Sequence, residues 1–576
     1  MTDKNAPSIA CDEHLPLTLR PASTVMDPER LGSLHPFRLS FMRILIRRIM
    51  HERWQIDSET FELDQDGIGT AIYSIKAPHG QYSFVVFAHR LDPERRSDRV
   101  IANEWDMTVT LCEGRVDKSR LEVFRKNVPL QEAGRVDNRC IVLSRANKSS
   151  RNFDYVVDTL ASGKQPSLEH VARVGYLYRT TAVYGSGKFG MADWEKVQLL
   201  HKDFARPFAA EMFSCYLIRQ FSLDQAEHIA KLRSPGTAVT IRDDIKRYFG
   251  IGNATGLGMA PFLINHPQLI SRWIEVRETA LARVMTVEFK SGENDNRLLE
   301  LIQRAVTHLN EIATGNDAQN AANLVVAKEL EVAGQWLENN QFTDWRALCD
   351  MSKSRLSAET QELLHSLLME MYPELVDDLE DTLSVDESMQ LSPNQSLQDF
   401  KSLIEDNYDW ALRIDFDAPD SRAVFWYRSL EKSEPRLGRL GVDEGADKTM
   451  NMSVALDIRR CYDRVIKCVS DNSCKNVAEF AIRYPEFRSI ARRIQSLGSS
   501  RYGDIHTNLL DKDVLPIHLL RCKLSFFGVS KFDPKSRLWV RNTMFQGAPL
   551  VSDIGRNFSD DWYFPVKPGG TQSELN

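Results

Sequence analysis

The chain has 576 residues, of which 42% are hydrophobic and 27% are charged, and its formal net charge is −7. Enough apolar residues are present to form a core, so the composition excludes a collagen-like, a disulfide-scaffold and a wholly disordered protein. At this length we expect about two to four domains.

The N-terminus, MTDKNAPSIACDEHLPL, contains early acids and lacks the apolar stretch of a secretory signal. Residues 37–54 are the most apolar early segment, but Arg43, Arg47 and Arg48 interrupt them, which excludes a membrane span. We expect the first core helix of a domain there, with a basic surface helix as the alternative. The nine cysteines show no CxxC spacing, which is typical of buried thiols in a reducing compartment. The sequence therefore predicts a cytoplasmic protein without a membrane partner.

Residues 1–290 are predicted to form an N-terminal α+β module. Alternating apolar residues rich in β-branched and aromatic side chains predict a β-meander within 58–111, with strands at 69–77, 81–89 and 105–111. Further along, apolar residues recur at intervals of three and four, which predicts helices at 153–163 and 207–232.

Residues 291–400 are predicted to be mainly helical. The apolar stripes predict helices at 296–315, 323–337 and 357–372. The segment 356–400 contains eleven Asp and Glu and no Lys or Arg. We expect a solvated outer helix face there, and a surface that binds a basic partner is the alternative.

Residues 401–566 are predicted to form a C-terminal α+β module, followed by a flexible tail at 567–576. The whole chain is thus expected to be an α+β protein, with two mixed modules containing antiparallel β-meander elements on either side of a mainly α-helical middle. The elements predicted for the C-terminal module are strands at 410–418, 422–430, 519–530 and 538–545 and helices at 451–469 and 478–498.

The segment YRTTAVYGSGKFG (178–190) combines three glycines with Arg179, Tyr184 and Lys188. Flexible backbone amides beside cationic side chains suit a phosphate or a carboxylate. The spacing is neither that of a Walker A loop nor that of a nucleophile elbow. We expect either an anion-binding loop or a glycine-rich turn.

The segment GIGNATGLGMAPF (250–262) has the GxxxGxG spacing of a dinucleotide-binding turn. A helical pattern precedes it where that motif requires a buried strand, so the dehydrogenase interpretation is rejected. We expect a turn that approaches a ligand, with Asn253 and Thr255 as polar contacts.

The segment RYGDIHTNLLDKDVLPIH (501–518) predicts an acid–base pair. Asp504 could orient His506 as a general base. The spacing matches no metal signature, so no metal ligands are assigned, and the alternative is a polar loop before a strand.

Arginine-rich stretches recur at 89–99, 144–151 and 426–439. Each alone is expected to be a solvated loop, but arginines that converge on one pocket would hold an anionic substrate.

The resulting hypothesis is a cytoplasmic enzyme that acts on a small anionic metabolite, a carboxylate or a phosphate, by acid–base chemistry. Arg179 and Lys188 would hold the anion, Tyr184, Asn253 and Thr255 would contact it, and His506 with Asp504 would move a proton. The alternatives are a non-catalytic interaction protein that uses the helical middle and, less favoured, a nucleic-acid-binding protein. No cofactor and no oligomeric state follow from the sequence.

Overall fold

The structure is a computed structural model of the 576-residue chain. The residues that it describes are 17–91, 105–130, 139–182, 197, 199–256, 266–287, 293–340, 342–383, 389–418, 425–429, 435–437, 449–451, 453–498, 500–504, 516–535, 539–557 and 559–569.

The chain divides into two compact units, each assembled from separate stretches of sequence. The helical unit contains Met1–Leu39, Leu263–Val306 and Leu324–Cys522. The sheet unit contains Ser40–Phe262, Thr307–Asn323 and Lys523–Asn576. The predicted module boundaries near residues 290 and 400 stay predictions.

The sheet unit is built on a nine-stranded sheet with the strand order β1-β2-β3-β4-β5-β6-β7-β12-β11. Every pair of neighbours is antiparallel except β6 and β7, which are parallel. The strands of this sheet are β1 Gln55–Leu63, β2 Gly69–Lys76, β3 Gln81–Ala88, β4 Met107–Glu113, β5 Cys140–Lys148, β6 Tyr176–Thr180, β7 Gly250–Gly256, β11 Lys531–Pro534 and β12 Trp539–Met544. A three-stranded sheet in the helical unit contains β8 Phe425–Ser429, β9 Pro435–Leu437 and β10 Thr449–Asn451.

Helices account for most of the remaining regular structure. Those before residue 290 are α1 Ala22–Val25, α2 Pro28–Gly32, α3 Phe41–His51, α4 Lys118–Asn127, α5 Phe153–Ala161, α6 Leu168–Ala172, α7 Ala209–Arg233, α8 Asp243–Tyr248 and α9 Pro267–Val284. Those after it are α10 Glu293–Glu311, α11 Asp317–Asn339, α12 Trp345–Arg355, α13 Ala358–Glu370, α14 Pro373–Val376, α15 Leu397–Asn407, α16 Asp409–Leu412, α17 Val454–Ser470, α18 Val477–Arg483, α19 Arg488–Gly498 and α20 Pro516–Phe527.

The two faces of the large sheet are covered differently. The long helix α7 packs against β4, β5, β6 and β7 on one face, where the Tyr178 hydroxyl donates to the Gln225 side-chain oxygen at 2.8 Å. On the other face, Phe124 from α4 and Val128 pack against apolar side chains of β2 to β5. Beyond this apolar cluster, the same face carries polar side chains.

The acidic segment of the helical unit forms internal ion pairs. Glu362 is fully buried and lies within 2.8 Å of both Arg20 and Arg277. Other acids of the segment pair with Arg38, Arg283 and Arg521 in the same way. The expectation of a solvated helix face is therefore wrong for Glu362, which arginines from distant parts of the sequence neutralise in the interior, whereas the Asp378 side chain is 59% exposed.

The fold class, a mixed α+β chain with a mainly helical middle, is confirmed. The predicted strands at 69–77, 81–89 and 105–111 correspond to β2, β3 and β4, and the helical patterns at 207–232 and 357–372 correspond to α7 and α13.

Three element predictions are wrong. Of residues 519–530, those up to Phe527 lie in helix α20 rather than in a strand, and residues 409–412 form the short helix α16. The glycine-rich segment that was expected to be a turn at 250–262 is strand β7 up to Gly256.

Within the described part of the chain, the helices are all too short or too polar to cross a membrane.

Candidate functional site

A row of polar side chains runs across four neighbouring strands of the large sheet. The register places Asn147 opposite Arg179. Hydrogen bonds continue the row: the His89 N–H donates to the Asp106 carbonyl oxygen at 2.7 Å, and the Asp106 N–H donates to the Asn147 side-chain oxygen at 2.9 Å. Side chains of directly opposite residues lie on the same face of a sheet. The row is therefore a continuous polar stripe on the face opposite α7.

A second set of polar residues lies on the same face, two positions away along each strand. Thr108 on β4 is directly opposite Arg145 on β5. The Thr181 backbone N–H donates to the Arg145 carbonyl oxygen at 3.2 Å, which places Thr181 beside Arg145 at the end of β6. Polar residues therefore occupy both levels of this part of the sheet.

Between these strands lies a small pocket with a cavity volume of about 20 Å³, room for one or two water-sized groups. We call it the cationic pocket, because its charged lining residues are the two arginines Arg145 and Arg179, which are only 5% and 9% exposed. Among the described residues that line it there is no Asp or Glu. The full lining consists of Trp105, Arg145, Ala146, Asn147, Arg179, Thr180 and Thr181.

Arg145 is held against an aromatic wall of the pocket. Its guanidinium carbon lies 4.0 Å from the centre of the Trp105 ring, a cation–π contact. Burial lowers the pKa of Arg145 to about 10, so the side chain remains charged at neutral pH. An anion bound in the pocket would be attracted by this positive charge.

The end of β6 is held in place by hydroxyl and amide groups. The Thr180 hydroxyl donates to the Arg145 carbonyl oxygen at 3.3 Å and accepts the backbone N–H of Ala182 at 3.0 Å. The Asn253 side-chain amide, from the parallel neighbour β7, donates to the Thr180 carbonyl oxygen at 3.0 Å. These bonds fix the backbone from which Arg179 extends.

The pocket lies where the only parallel pair among the described strands of this sheet ends. Ligands of sheets with parallel strands commonly bind at the carboxyl ends of those strands. The two glycine-rich segments singled out in the sequence continue the chain beyond β6 and beyond β7. The carboxyl ends of β6 and β7, which both lie within these segments, therefore belong to neighbouring parallel strands.

His89 is a titratable side chain at one end of the polar row. Its Nε2 atom lies 3.0 Å from the Thr108 hydroxyl, and its backbone N–H donates to the Asp106 carbonyl oxygen at 2.7 Å. Burial lowers the pKa of His89, while Asp106 acts in the opposite direction. The ring is therefore mainly neutral at pH 7 and is able to accept a proton.

The structure describes some of the sequence-predicted site residues and brings two of them close together. Arg179 lines the cationic pocket, and Asn253 lies on the adjacent strand, with its amide bonded to Thr180. Thr255 lies in β7 opposite Val540, and its side chain is outside the described part. Tyr184, Lys188 and His506 lie outside the described residues.

Asp504 belongs to the helical unit, whereas Arg179 and Asn253 belong to the sheet unit. Both of its carboxylate oxygens accept hydrogen bonds from Arg493, at 2.6 and 2.8 Å. The carboxylate is 4% exposed and forms a bidentate ion pair. Its predicted role as a partner of His506 stays a prediction.

Sequence reasoning missed Trp105, Arg145, Asn147 and His89 as members of one site. A signal was present in IVLSRANK (141–148), where Arg145 and Asn147 alternate with small residues directly after an apolar run. The stretch 144–151 was expected to be a solvated loop, but its first part is the buried strand β5.

Comparison with known proteins finds no matching family model, and no significantly similar curated protein or solved structure. The functional argument therefore rests on the geometry of the site. Within the described part of the chain, no group of three or more His, Cys, Asp and Glu side chains could hold a metal ion.

Proposed function

We propose that this chain is an enzyme that acts on a small anionic metabolite, a carboxylate or a phosphate, bound in the cationic pocket. The observation that carries the proposal is that two buried arginines on neighbouring strands, Arg145 and Arg179, line the same pocket. We also propose that the enzyme is located in the cytoplasm, because the eight described cysteines are free thiols.

The chemistry of the lining favours a small oxyanion. A guanidinium group donates two parallel hydrogen bonds that match the oxygens of a carboxylate or a phosphate. Asn147, Thr180 and Thr181 add amide and hydroxyl groups that hydrogen bond to polar parts of a ligand. The cavity of about 20 Å³ has room for one or two water-sized groups, so a ligand would place only its anionic group there, with the rest of the molecule at the mouth.

His89 is the group that we propose for proton transfer. It is partly exposed, its ring contacts Thr108, and Thr108 is the direct cross-strand neighbour of Arg145. His89 directly follows β3 and Asn147 lies in β5, with β4 between them. Two strand spacings of about 4.8 Å separate their positions by about 10 Å. We favour His89 over Asp504 because the carboxylate of Asp504 pairs with Arg493.

The proposal is tested first by thermal unfolding of the full chain with a panel of carboxylates and phosphates at constant ionic strength. A ligand at one hundred times its Kd adds about 2.7 kcal/mol to the free energy of unfolding, so at least one anion should raise the melting temperature by several degrees. Chloride is the matched control anion. The proposal fails if no oxyanion in a broad panel raises the melting temperature more than chloride does.

The proposed catalysis is tested separately, with the anions that bind in the thermal unfolding experiment. Each is incubated with the wild-type protein and with His89→Gln, and products are followed by mass spectrometry. We expect turnover by the wild type and a loss of at least a hundredfold in His89→Gln with binding retained. Equal turnover in both proteins would remove His89 from the chemistry.

A further inference from the structure

The end of helix α17 brings two cysteines of the helical unit together. Asn472 has a φ of 52°, in the left-handed region, directly after the helix. The Ser473 N–H donates to the Cys468 carbonyl oxygen at 3.1 Å, and the Asn472 N–H donates to the Val469 carbonyl oxygen at 3.4 Å. This pair of bonds is the Schellman motif, which reverses the chain at a helix end. The next residue, Cys474, is therefore directed back towards Cys468.

Both cysteine side chains are buried in one hydrophobic cluster, which is formed largely by helices α15, α17, α18 and α19. Cys468 is 1% exposed and Cys474 is 5% exposed, and Cys468 lies close enough to Cys474 to raise the pKa of its thiol. Arg483, at the end of α18, donates to the carbonyl oxygen of Ser473, the residue before Cys474, at 3.1 Å. A cation thus lies beside one member of the thiol pair.

We propose that Cys468 and Cys474 form a redox-active dithiol site that is converted by hydrogen peroxide into an intramolecular disulfide. The site is independent of the cationic pocket and of the proposed enzyme activity. The disulfide would close the segment 468–474 and link the last turn of α17 to the start of the loop that leads to α18.

The reaction balances with peroxide as the oxidant. The Cys474 thiolate attacks one peroxide oxygen, the O–O bond breaks, and the products are a sulfenic acid on Cys474 and, after protonation, one water. The Cys468 sulfur then attacks the Cys474 sulfur, and the hydroxyl group leaves as a second water. Two thiols are oxidised to one disulfide, and one peroxide is reduced to two waters.

Cys474 is assigned as the attacking thiol because Arg483 stabilises its thiolate. Burial, together with the neighbouring Cys468, raises the pKa of Cys474, and Arg483 acts in the opposite direction. The site should therefore react more slowly than an exposed, activated cysteine.

The digestion pattern of the chain allows a direct test. Trypsin cleaves after Lys467 and Lys475 and releases the peptide CVSDNSCK, which contains both cysteines and no other. The folded full-length protein is treated with peroxide or with dithiothreitol, denatured, alkylated and digested. We expect the peptide from the reduced protein to carry two alkyl groups. After peroxide it should carry none and should be lighter than the unmodified peptide by two hydrogens, and dithiothreitol should reverse the change.

Disulfide formation must be measured on this peptide and not on the whole protein. A second pair of cysteines, Cys112 and Cys140, lies opposite each other on neighbouring strands. The matched control is Cys461→Ser, which removes a buried thiol of the same helix and should leave the peptide result unchanged. Cys468→Ser should abolish the loss of two hydrogens.

Two variants of Asn472 test whether the folded turn speeds disulfide formation, or whether the two cysteines react only because they are close in the sequence. Asn472→Gly keeps the left-handed turn and should keep the rate of disulfide formation, whereas Asn472→Val disfavours that turn and should slow it about tenfold. The proposal is overturned if both cysteines of the folded protein remain fully alkylatable after peroxide. It is also overturned if the disulfide forms only after denaturation, or if Asn472→Val forms it as fast as the wild type.

Discussion

Buried arginines in this chain lie in different surroundings. Arg219 donates to five backbone carbonyl oxygens, and Arg277 pairs with two buried glutamates. Both side chains connect parts of the fold. Arg145 and Arg179 instead line a pocket in which no described lining residue is acidic. Burial lowers the pKa of Arg219 and of Arg145 to about 10 in the same way, so the surroundings, and not the pKa, assign the role.

The pocket arginines should dominate anion binding. Arg145→Met and Arg179→Met each remove a guanidinium group while retaining much of the side-chain volume, so we expect the Kd of the best anion to rise at least tenfold, or about 1.4 kcal/mol. Isothermal titration calorimetry measures the change. Arg173→Met, which alters an arginine with a 66% exposed side chain just before β6, is the matched control. Equal affinities in all three variants would exclude the assigned pocket.

A buried histidine of the helical unit should make stability depend on pH. His35 faces Arg521 and Glu359, with Arg277 and Glu362 nearby, and burial together with Arg521 lowers its pKa to about 3. Its unfolded pKa is about 6.5, so the unfolded chain binds a proton that the folded chain excludes. The free energy of unfolding should therefore fall as the pH falls below about 6.5, by about 2 kcal/mol at pH 5 from this residue alone.

Urea unfolding at pH 7 and pH 5 checks this prediction. His35→Gln should reduce the difference by about 2 kcal/mol, while the buried His308 and His365, whose pKa is also lowered, maintain the rest. His51→Gln, at an exposed position, should retain the whole difference. A pH dependence in His35→Gln as steep as that of the wild type would contradict the assignment.

At the scale of elements, three of the strands that build the site, β5, β6 and β7, were not predicted from the sequence. Strand β7 contains Gly250, Gly252 and Gly256, and glycine is a poor strand former. A Cβ atom on Gly252 would lie 2.5 Å from ring atoms of Tyr176, so the close approach of β6 requires glycine there. This requirement is a tertiary contact, and no local pattern reports it.

Gly252→Ala tests that contact. Tyr176 is 3% exposed and has little room to move, so we expect the free energy of unfolding to fall by about 1–3 kcal/mol in urea denaturation. Anion affinity should fall as well, because β6 carries Arg179. Gly236→Ala is the matched control, since a Cβ atom there meets no atom within 4 Å. Equal unfolding free energies in the two variants would show that β6 and β7 do not pack this closely.

Helix α20 shows why a short apolar run in the sequence does not distinguish a helix from a strand. The sequence LLRCKLSFFGVS (519–530) suits a strand and a helix equally, because a short apolar run has no decisive period. Gly528, with a φ of 92°, ends the helix, and the N–H groups of Gly528 and Val529 both donate to the Leu524 carbonyl oxygen. The glycine was the available helix-end signal.

At the scale of the whole molecule, features set by local apolar spacing were predicted from the sequence. Contacts between residues that are far apart in the sequence were not. The α+β class and the long amphipathic helices followed from apolar spacing. Arg179 was identified as an anion-binding residue from its own segment, but its neighbour Arg145 is 34 positions away in sequence and becomes a neighbour only through strand pairing. The internal pairing of the acidic segment 356–400 depends on arginines as distant as Arg20, and for that reason it was also missed.

The central claim is that an oxyanion binds between Arg145 and Arg179, and anomalous diffraction tests it most directly. Crystals of the full chain are soaked in selenate, a heavier oxyanion, at a concentration that saturates the thermal shift. The account predicts a selenium peak in the cationic pocket, with selenate oxygens about 3 Å from the guanidinium nitrogens of Arg145 and Arg179. Selenium peaks elsewhere, with none in the pocket, would contradict it.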